Sequence, residues 1–389
     1  MCKEPSGKSN GKDGQVFQDL VHSITYLIRS YYHENCPRLY EPKGSERIKK
    51  VGFILMKYRR FQKTGITTSE VGFGLWTVST GWWGKVDEEK SVRLLQKAFD
   101  YGIIFYDTAD TYGNGLGETL LAKAFCKKRN QITISTKFGY DFYHYAGERK
   151  GQQEIPQDFS SNYIRFACEE SLKRLETDHI DFYQIHNSKM DAVTNDDLFV
   201  TLEKLKAEGK ILSYGAALGP AIGWREEGIK VMQERKIDGL HTIYNMLEQD
   251  PGRDFFPIAE EHQVGILVRV PHSSGMLEGV YTKDTKFDEK DHRSHRPRSW
   301  LIEGLEKVDR LKFLTGGRDR TIGQAALQFI LAQPSIVTVL PNIYNEDQLR
   351  EFATAVDTPS MTAEELKQIS KLYQNNFYVV HEEEVGKTQ

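Results

Sequence analysis

The sequence predicts an α/β fold: a (β/α)8 TIM barrel carrying an N-terminal β-hairpin and C-terminal helices. Three observations predict it. Short apolar runs alternate with amphipathic stretches over most of the chain, which is the pattern of repeated β-α units around a parallel sheet. Eight such units fit in about 320 residues, the size of one closed barrel with insertions. The rival, a doubly wound open sheet, calls for a glycine-rich phosphate loop after its first strand. That position reads GFGLWTVSTGWWG, which lacks the GxGxxG spacing.

Along the chain, residues 1–14 are polar and rich in Gly, Ser and Lys, the composition of a disordered segment. Val16–Tyr32 could form one amphipathic helix, and no clear pattern follows to about Lys50. Residues 1–55 therefore read as an extension, either an appendage or upstream sequence translated from a start codon set too early. Met56 opens the regular pattern of a barrel domain over 56–389, with a hairpin first. The predicted strands are Val71–Leu75, Ile103–Tyr106, Ile132–Thr136 and Ile180–Ile185, then Ile211–Ala217, Leu240–Tyr244, Gly265–Val270 and Ile336–Leu340. Predicted helices include Glu88–Tyr101, Gly117–Cys126, Ser161–Glu176 and Asp196–Glu208.

Composition narrows the function. Hydrophobic residues are 39% and charged residues 28%, ordinary for a cytosolic globular protein. A net charge of −3 supplies no electrostatic footprint for nucleic acid or an anionic membrane. No apolar run reaches the roughly 20 residues of a membrane-spanning helix. Cys2, Cys36, Cys126 and Cys168 show neither a CxxC pair nor metal-ligand spacing, so reduced thiols, a cytoplasmic location and no metal site are expected.

Chemistry in a barrel collects where strands end and βα loops begin. Reading each strand to its end gives Asp107, Lys137 and His186, with Tyr112 five residues past Asp107. Each has a structural alternative. Asp107, Asp110 or Asn114 could cap the following helix, Lys137 could be a surface cation, and His186 a satisfied core histidine. Together they form a chemical set. A phenol of ordinary pKa about 10 becomes a usable general acid beside an ammonium. Asp107 would hold Lys137, His186 would polarise a carbonyl, and Tyr112 would supply the proton. No side chain carries hydride, so a nicotinamide cofactor is expected.

The segment YDTADTYGNGLGETLLAKAF resembles the signature of the aldo-keto reductases, with Asp107 and Tyr112 in the places of the catalytic Asp and Tyr. TISTKFG resembles the segment of the catalytic Lys, and DFYQIHN that of the catalytic His and the neighbouring Asn187. GFGLW, YNMLEQDP and LAQPSIVTVLPN match further, so that the likeness runs from about Tyr58 to Phe377. The resemblance implies a barrel that binds NADP or NAD in extended form and reduces aldehydes and ketones, or oxidises alcohols. It places Arg269, Pro271, Ser273, Ser274 and Gly275 in the loop over the pyrophosphate, and Asn342, Ile343, Gln348 and Glu351 at the adenosine end. Trp76, Trp82, Trp83 and Asn187 would line the substrate pocket, although loop packing explains the paired tryptophans equally well.

The chain departs from the family pattern in three places. The fifth strand usually ends in a Ser-Asn pair that grips the carboxamide, and here it ends Ala217-Leu218. The usual Gln of the sixth strand is His241, which becomes the polar candidate for that group. The clamp for a 2′-phosphate is not evident, because Asn342-Ile343-Tyr344-Asn345 stands where Lys or Arg is common and Arg350 is the first cation. The loop after Lys137 carries Tyr140, Phe142, Tyr143, His144 and Tyr145, a pocket wall or a self-packed loop, with Arg149 and Lys150 able to attract an anion. Two other functions stay open: a nicotinamide-binding redox sensor, like regulatory subunits of potassium channels, and a sugar or polyol dehydrogenase. Substrate and oligomeric state are not legible.

Overall fold

The computed structural model describes residues 56–81, 86–147, 154–219, 223–289, 291 and 293–379. The extension 1–55 with Val16–Tyr32, the pair Trp82 and Trp83, and Arg149 and Lys150 lie outside the described residues.

The described residues open with an antiparallel hairpin, β1 (Tyr58–Arg60) and β2 (Thr67–Ser69), paired in register from Tyr58 with Ser69 to Arg60 with Thr67. Eight parallel strands follow: β3 (Phe73–Gly74), β4 (Phe105–Asp107), β5 (Thr133–Phe138), β6 (Ile180–His186), β7 (Ile211–Ala217), β8 (Gly239–Ile243), β9 (Gly265–Arg269) and β10 (Ile336–Leu340). Each pairs with its sequence neighbours, and a parallel bridge from Val71 to Val339 joins the two ends, which closes the barrel. The eight strands anticipated from apolar alternation are thus present, with ends shifted by a residue or two. The first shrinks to Phe73–Gly74, because Val71 pairs only through that bridge and the chain turns into a helix at Trp76.

The helices α1 (Trp76–Ser79), α2 (Glu88–Asp100), α3 (Leu116–Phe125), α4 (Ser161–Leu175), α5 (Met190–Val193) and α6 (Asp196–Ala207) serve the first half of the barrel. The second half carries α7 (Arg225–Glu234), α8 (Gly252–Glu261), α9 (Arg298–Asp309), α10 (Ile322–Leu331), α11 (Glu346–Ala353) and α12 (Ala363–Gln374). Local chemistry starts several of them. Asp87, Ser160 and Asn195 each accept a backbone N–H at the N-cap, and Thr321 and Thr362 form capping boxes with Gln324 and Glu365.

Covered on both faces, the strands are almost wholly buried, which is why they read as continuous apolar runs. The barrel interior is closed at its N-terminal end by Phe61, from the hairpin, packed with Phe105, Phe182, Leu267, Val337 and Leu340. Phe61 and Phe182 pack with their rings tilted and centroids 5.0 Å apart. Gly239 is required here, since a Cβ would lie 2.7 Å from both of those rings. With one end sealed by aromatic side chains, the barrel interior can open only at the C-terminal ends of the strands.

Candidate active site

At that end Asp107 finishes β4 and Lys137 lies next to the end of β5, on adjacent strands whose register faces Asp107 with Ser135. Two residues farther along β5, Lys137 points the same way as Ser135, because side chains alternate with period two. The Lys137 ammonium donates to Asp107 Oδ2 at 2.6 Å and to the carbonyl of Thr108 at 2.7 Å. Ser135 Oγ and Gln184 Nε2 each donate to the other oxygen, Oδ1, at 2.9 Å. The ion pair is almost completely buried, with 1% and 5% of the two side chains exposed. A buried pair is tolerated only when its remaining lone pairs and protons are satisfied, and these donors do that.

Tyr112 is carried by the tight loop between β4 and α3. The Lys137 ammonium lies 5.0 Å from the centroid of its ring. His186, the last residue of β6, meets Tyr112 edge-on at 5.9 Å and Tyr140 at 5.0 Å between centroids. Gly113, in the left-handed region at φ 60°, holds the loop down: a Cβ there would lie 2.3 Å from the carbonyl of Ser79 on α1. The capping alternative for Asp107, Asp110 and Asn114 fails, since the N-cap of α3 is Gly115 and no side chain caps it. Asp110 is instead wholly buried beneath the loop, and burial, with Glu118 nearby, pushes its carboxyl well above the usual range.

Asp107, Tyr112, Gly113 and His186 share one cavity of about 630 Å3, within the range of small-ligand sites, and Lys137 lies behind its lining. Trp76 and Asn187 line it as the sequence suggests. Tyr140 joins its wall: its hydroxyl accepts from Asn187 Nδ2 at 2.6 Å and donates to Glu154 at 2.7 Å. The turn at Asn187 is left-handed at φ 52°, and Gln157 pins it by donating to the carbonyls of His186 and Asn187. The other loop aromatics turn away. Tyr143 accepts from Arg174 and packs on Phe142 and Phe166, while His144 pairs with Asp141.

Residues assigned to the cofactor fall into two groups. His241, Arg269, Ser274 and Asn342 line the cavity. The side chains of the remainder engage the protein itself or are packed into it. Ser273 donates to Glu248, Gln348 to Glu278, and Glu351 accepts from Thr321, while Ile343 and Pro271 are buried. Gly275, at φ 92°, packs beside Tyr281. Arg269 sits one step earlier than the loop position suggests, as the last residue of β9. Its guanidinium donates to the carbonyls of Leu218 and Gly219, bridging to the end of β7 where the usual Ser-Asn pair is missing.

His241 is 2% exposed, and neither ring nitrogen meets a hydrogen-bond partner among the described residues. Burial first, then the cations Lys137 and Arg269 and the neighbouring His186, hold its pKa well below the ordinary value. It is a neutral imidazole with one N–H and one lone pair to offer. Sequence reasoning missed His295 and Arg296, which reach the cavity wall from the far end of the long loop after β9. It also missed Ser135 and Gln184, although a polar residue inside a buried strand was a signal for both. No cluster of His, Cys, Asp or Glu able to hold a metal occurs among the described residues.

A parallel barrel with Asp, Lys, Tyr and His gathered at one mouth defines an oxidoreductase acting on carbonyl or alcohol groups. The family model described as "Aldo/keto reductase family" matches residues 70–374. Aldo-keto reductase YhdN of Bacillus subtilis (strain 168) is 30% identical over 82% of this chain and 94% of its own. Among solved structures, the holo form of aldo-keto reductase AKR11C1 from Bacillus halodurans is 30% identical with a TM-score of 0.66, covering 82% of this chain and 96% of that one. Glycerol dehydrogenase AKR11B4 from Gluconobacter oxydans is 25% identical with a TM-score of 0.70, covering 85% and 99%. The chain belongs to the aldo/keto reductase family and is an NAD(P)-dependent oxidoreductase.

Proposed function

We propose that the protein interconverts small aldehydes or ketones and their alcohols, with the nicotinamide of NADH or NADPH held over His241 and Tyr112 as general acid and base. One observation carries this reading: the Lys137 ammonium, fixed by Asp107, lies against the ring of a tyrosine that shares a cavity with His186. The orphaned nitrogens of buried His241 fit a carboxamide, which offers both a donor and an acceptor. Ser274 and Asn342 extend the same cavity toward the rest of the dinucleotide.

The bound dihydropyridine supplies hydride, and this chain's residues handle position and proton. His186 and Tyr112 take the substrate oxygen between them, so that the negative charge growing there meets fixed donors. Tyr112 passes its hydroxyl proton to that oxygen. The phenolate left behind is stabilised by Lys137, whose own charge Asp107 compensates. Trp76 and Asn187, with Tyr140, shape the wall against which a small substrate lies. A cytoplasmic setting agrees with a chain in which no helix among the described residues is long and apolar enough to cross a membrane.

The test is Tyr112→Phe. Removing the acid should cost at least about 100-fold in turnover of a reactive aldehyde, as general acid catalysis typically contributes. Fluorescence titration should show dinucleotide binding within twofold of the parent, about 0.4 kcal/mol. Near-normal turnover in the variant would refute the assignment of the proton donor. Equal inactivity of the parent with NADH and NADPH would favour the redox-sensor reading.

A further inference from the structure

The rim of the cavity carries a charge that the proton chemistry does not use. After β9 a long loop runs to the start of α9 at Arg298, and its last stretch lays His295 and Arg296 on the cavity wall. Several contacts fix its course. Arg293 donates to Asp291 and to the hydroxyl of Tyr281, which itself donates to the carbonyl of Ser274 at 2.8 Å. Arg298 donates to the carbonyl of Thr285 at 2.8 Å. The backbone N–H of Arg296 donates to the carbonyl of Arg293 at 3.0 Å, and its guanidinium lies 5.4 Å from the ring centroid of Trp300 on the first turn of α9.

Aside from histidines, the charged side chains that line the cavity are Asp107, Glu154, Arg269 and Arg296. Both acids are compensated, Asp107 by Lys137 at 2.6 Å and Glu154 by Lys189 at 2.7 Å. The arginines are not. Arg269 donates to the carbonyls of Leu218 and Gly219, Arg296 faces Trp300, and no carboxylate pairs with either among the described residues. The cavity therefore holds an excess of positive charge, one guanidinium at a strand end and one on the exposed rim. A cleft lined by one sign of charge concentrates ligands of the other.

We propose that the substrate is a short carbonyl compound bearing an anionic carboxylate or phosphate group, and that Arg296 selects it. This deepens, and rests on, the carbonyl-reducing reading above. A substrate whose carbonyl lies between His186 and Tyr112 directs its other end outward to the rim. There the planar fork of a guanidinium matches two oxygens of either anion. Because Arg296 is exposed, salt screens its attraction, while the apolar contacts of the same substrate are not screened.

The experiment measures kcat/KM for two pairs of aldehydes, succinate semialdehyde with its uncharged methyl ester and glyceraldehyde phosphate with glyceraldehyde. It uses the parent, Arg296→Gln and Arg296→Lys, in low and high salt. In at least one pair the parent should favour the anion at least about tenfold, and high salt should shrink that ratio. Arg296→Gln should cut the ratio about tenfold, mainly through KM for the anion, while Arg296→Lys should keep most of it. A parent that turns over the uncharged aldehydes as well as the anions overturns the proposal and leaves the reductase reading standing. An unchanged ratio in Arg296→Gln overturns it too. Fluorescence titration with NADH and NADPH supplies the remaining control: a loss of dinucleotide affinity of about tenfold in Arg296→Gln would put this arginine on the cofactor's phosphates and overturn the assignment. A parent that turns over none of the four aldehydes with either dinucleotide overturns the reading beneath the proposal, and the proposal with it.

Discussion

The two ends of the barrel differ in how many buried polar groups they leave without a partner. At the N-terminal end Arg59 is three-quarters buried and fully engaged. It bonds Glu70 at 2.9 Å and donates to the carbonyls of Leu331, Gln333 and Ile336 at 2.6, 3.0 and 2.7 Å. Lys63, itself exposed, donates to the carbonyl of Ile237. At the C-terminal mouth the hydroxyl of Thr108, both oxygens of Asp110, both nitrogens of His241 and one oxygen of Glu278 are buried without a hydrogen-bond partner among the described residues. Satisfied polar groups stabilise a fold, while an orphaned one costs stability, and one that lines the cavity, as His241 does, stands open to a ligand. The difference separates the end that folds the barrel from the end that works.

Lys137→Met should give the largest effect, because this residue serves both purposes. It should lower carbonyl reduction by about 10²–10⁴-fold, the range for lost acid-base assistance. It should also destabilise the fold by about 3–5 kcal/mol, since Asp107 would keep a buried charge with only Ser135 and Gln184 as donors. Steady-state kinetics beside urea unfolding reads both. Full stability with lost activity would mean that Asp107 never needed its partner for folding.

Arg59→Ala comes next and should touch stability alone. Losing one ion pair and three charge-assisted bonds to carbonyls should cost about 3–5 kcal/mol. Below the melting transition kcat/KM should stay within twofold, or about 0.4 kcal/mol, of the parent. A matching fall in kcat/KM would show that the two ends are coupled and would dissolve the contrast between them.

The contrast also explains what the sequence could show. Strands buried on both faces announce themselves as apolar runs, so Ile211–Ala217 and Ile336–Leu340 are found as read, and the residues that end them follow from counting. Asp107, Lys137, Tyr112 and His186 were legible for that reason: a short loop or a strand end leaves little freedom in where a side chain lands. His295 and Arg296 were not, because their arrival depends on the path of the long loop after β9. No periodicity reports that path. Gly115 as N-cap of α3 was missed for a different reason: three better capping residues precede it, yet the loop that presents Tyr112 extends past all of them.

The smallest expected effect is the most direct probe of the unsatisfied end. His241→Leu removes a neutral imidazole whose two nitrogens meet nothing in the protein and replaces it with a side chain that needs no partner. The thermal midpoint should therefore rise, by the equivalent of about 1 kcal/mol, while dinucleotide affinity falls about tenfold because the carboxamide loses its donor and acceptor. His241→Gln should restore that affinity, since an amide offers the same pair of contacts. A lower midpoint in the Leu variant would show that His241 is bonded in the resting protein. Unchanged affinity would show that the carboxamide is gripped by Arg269 or the backbone instead.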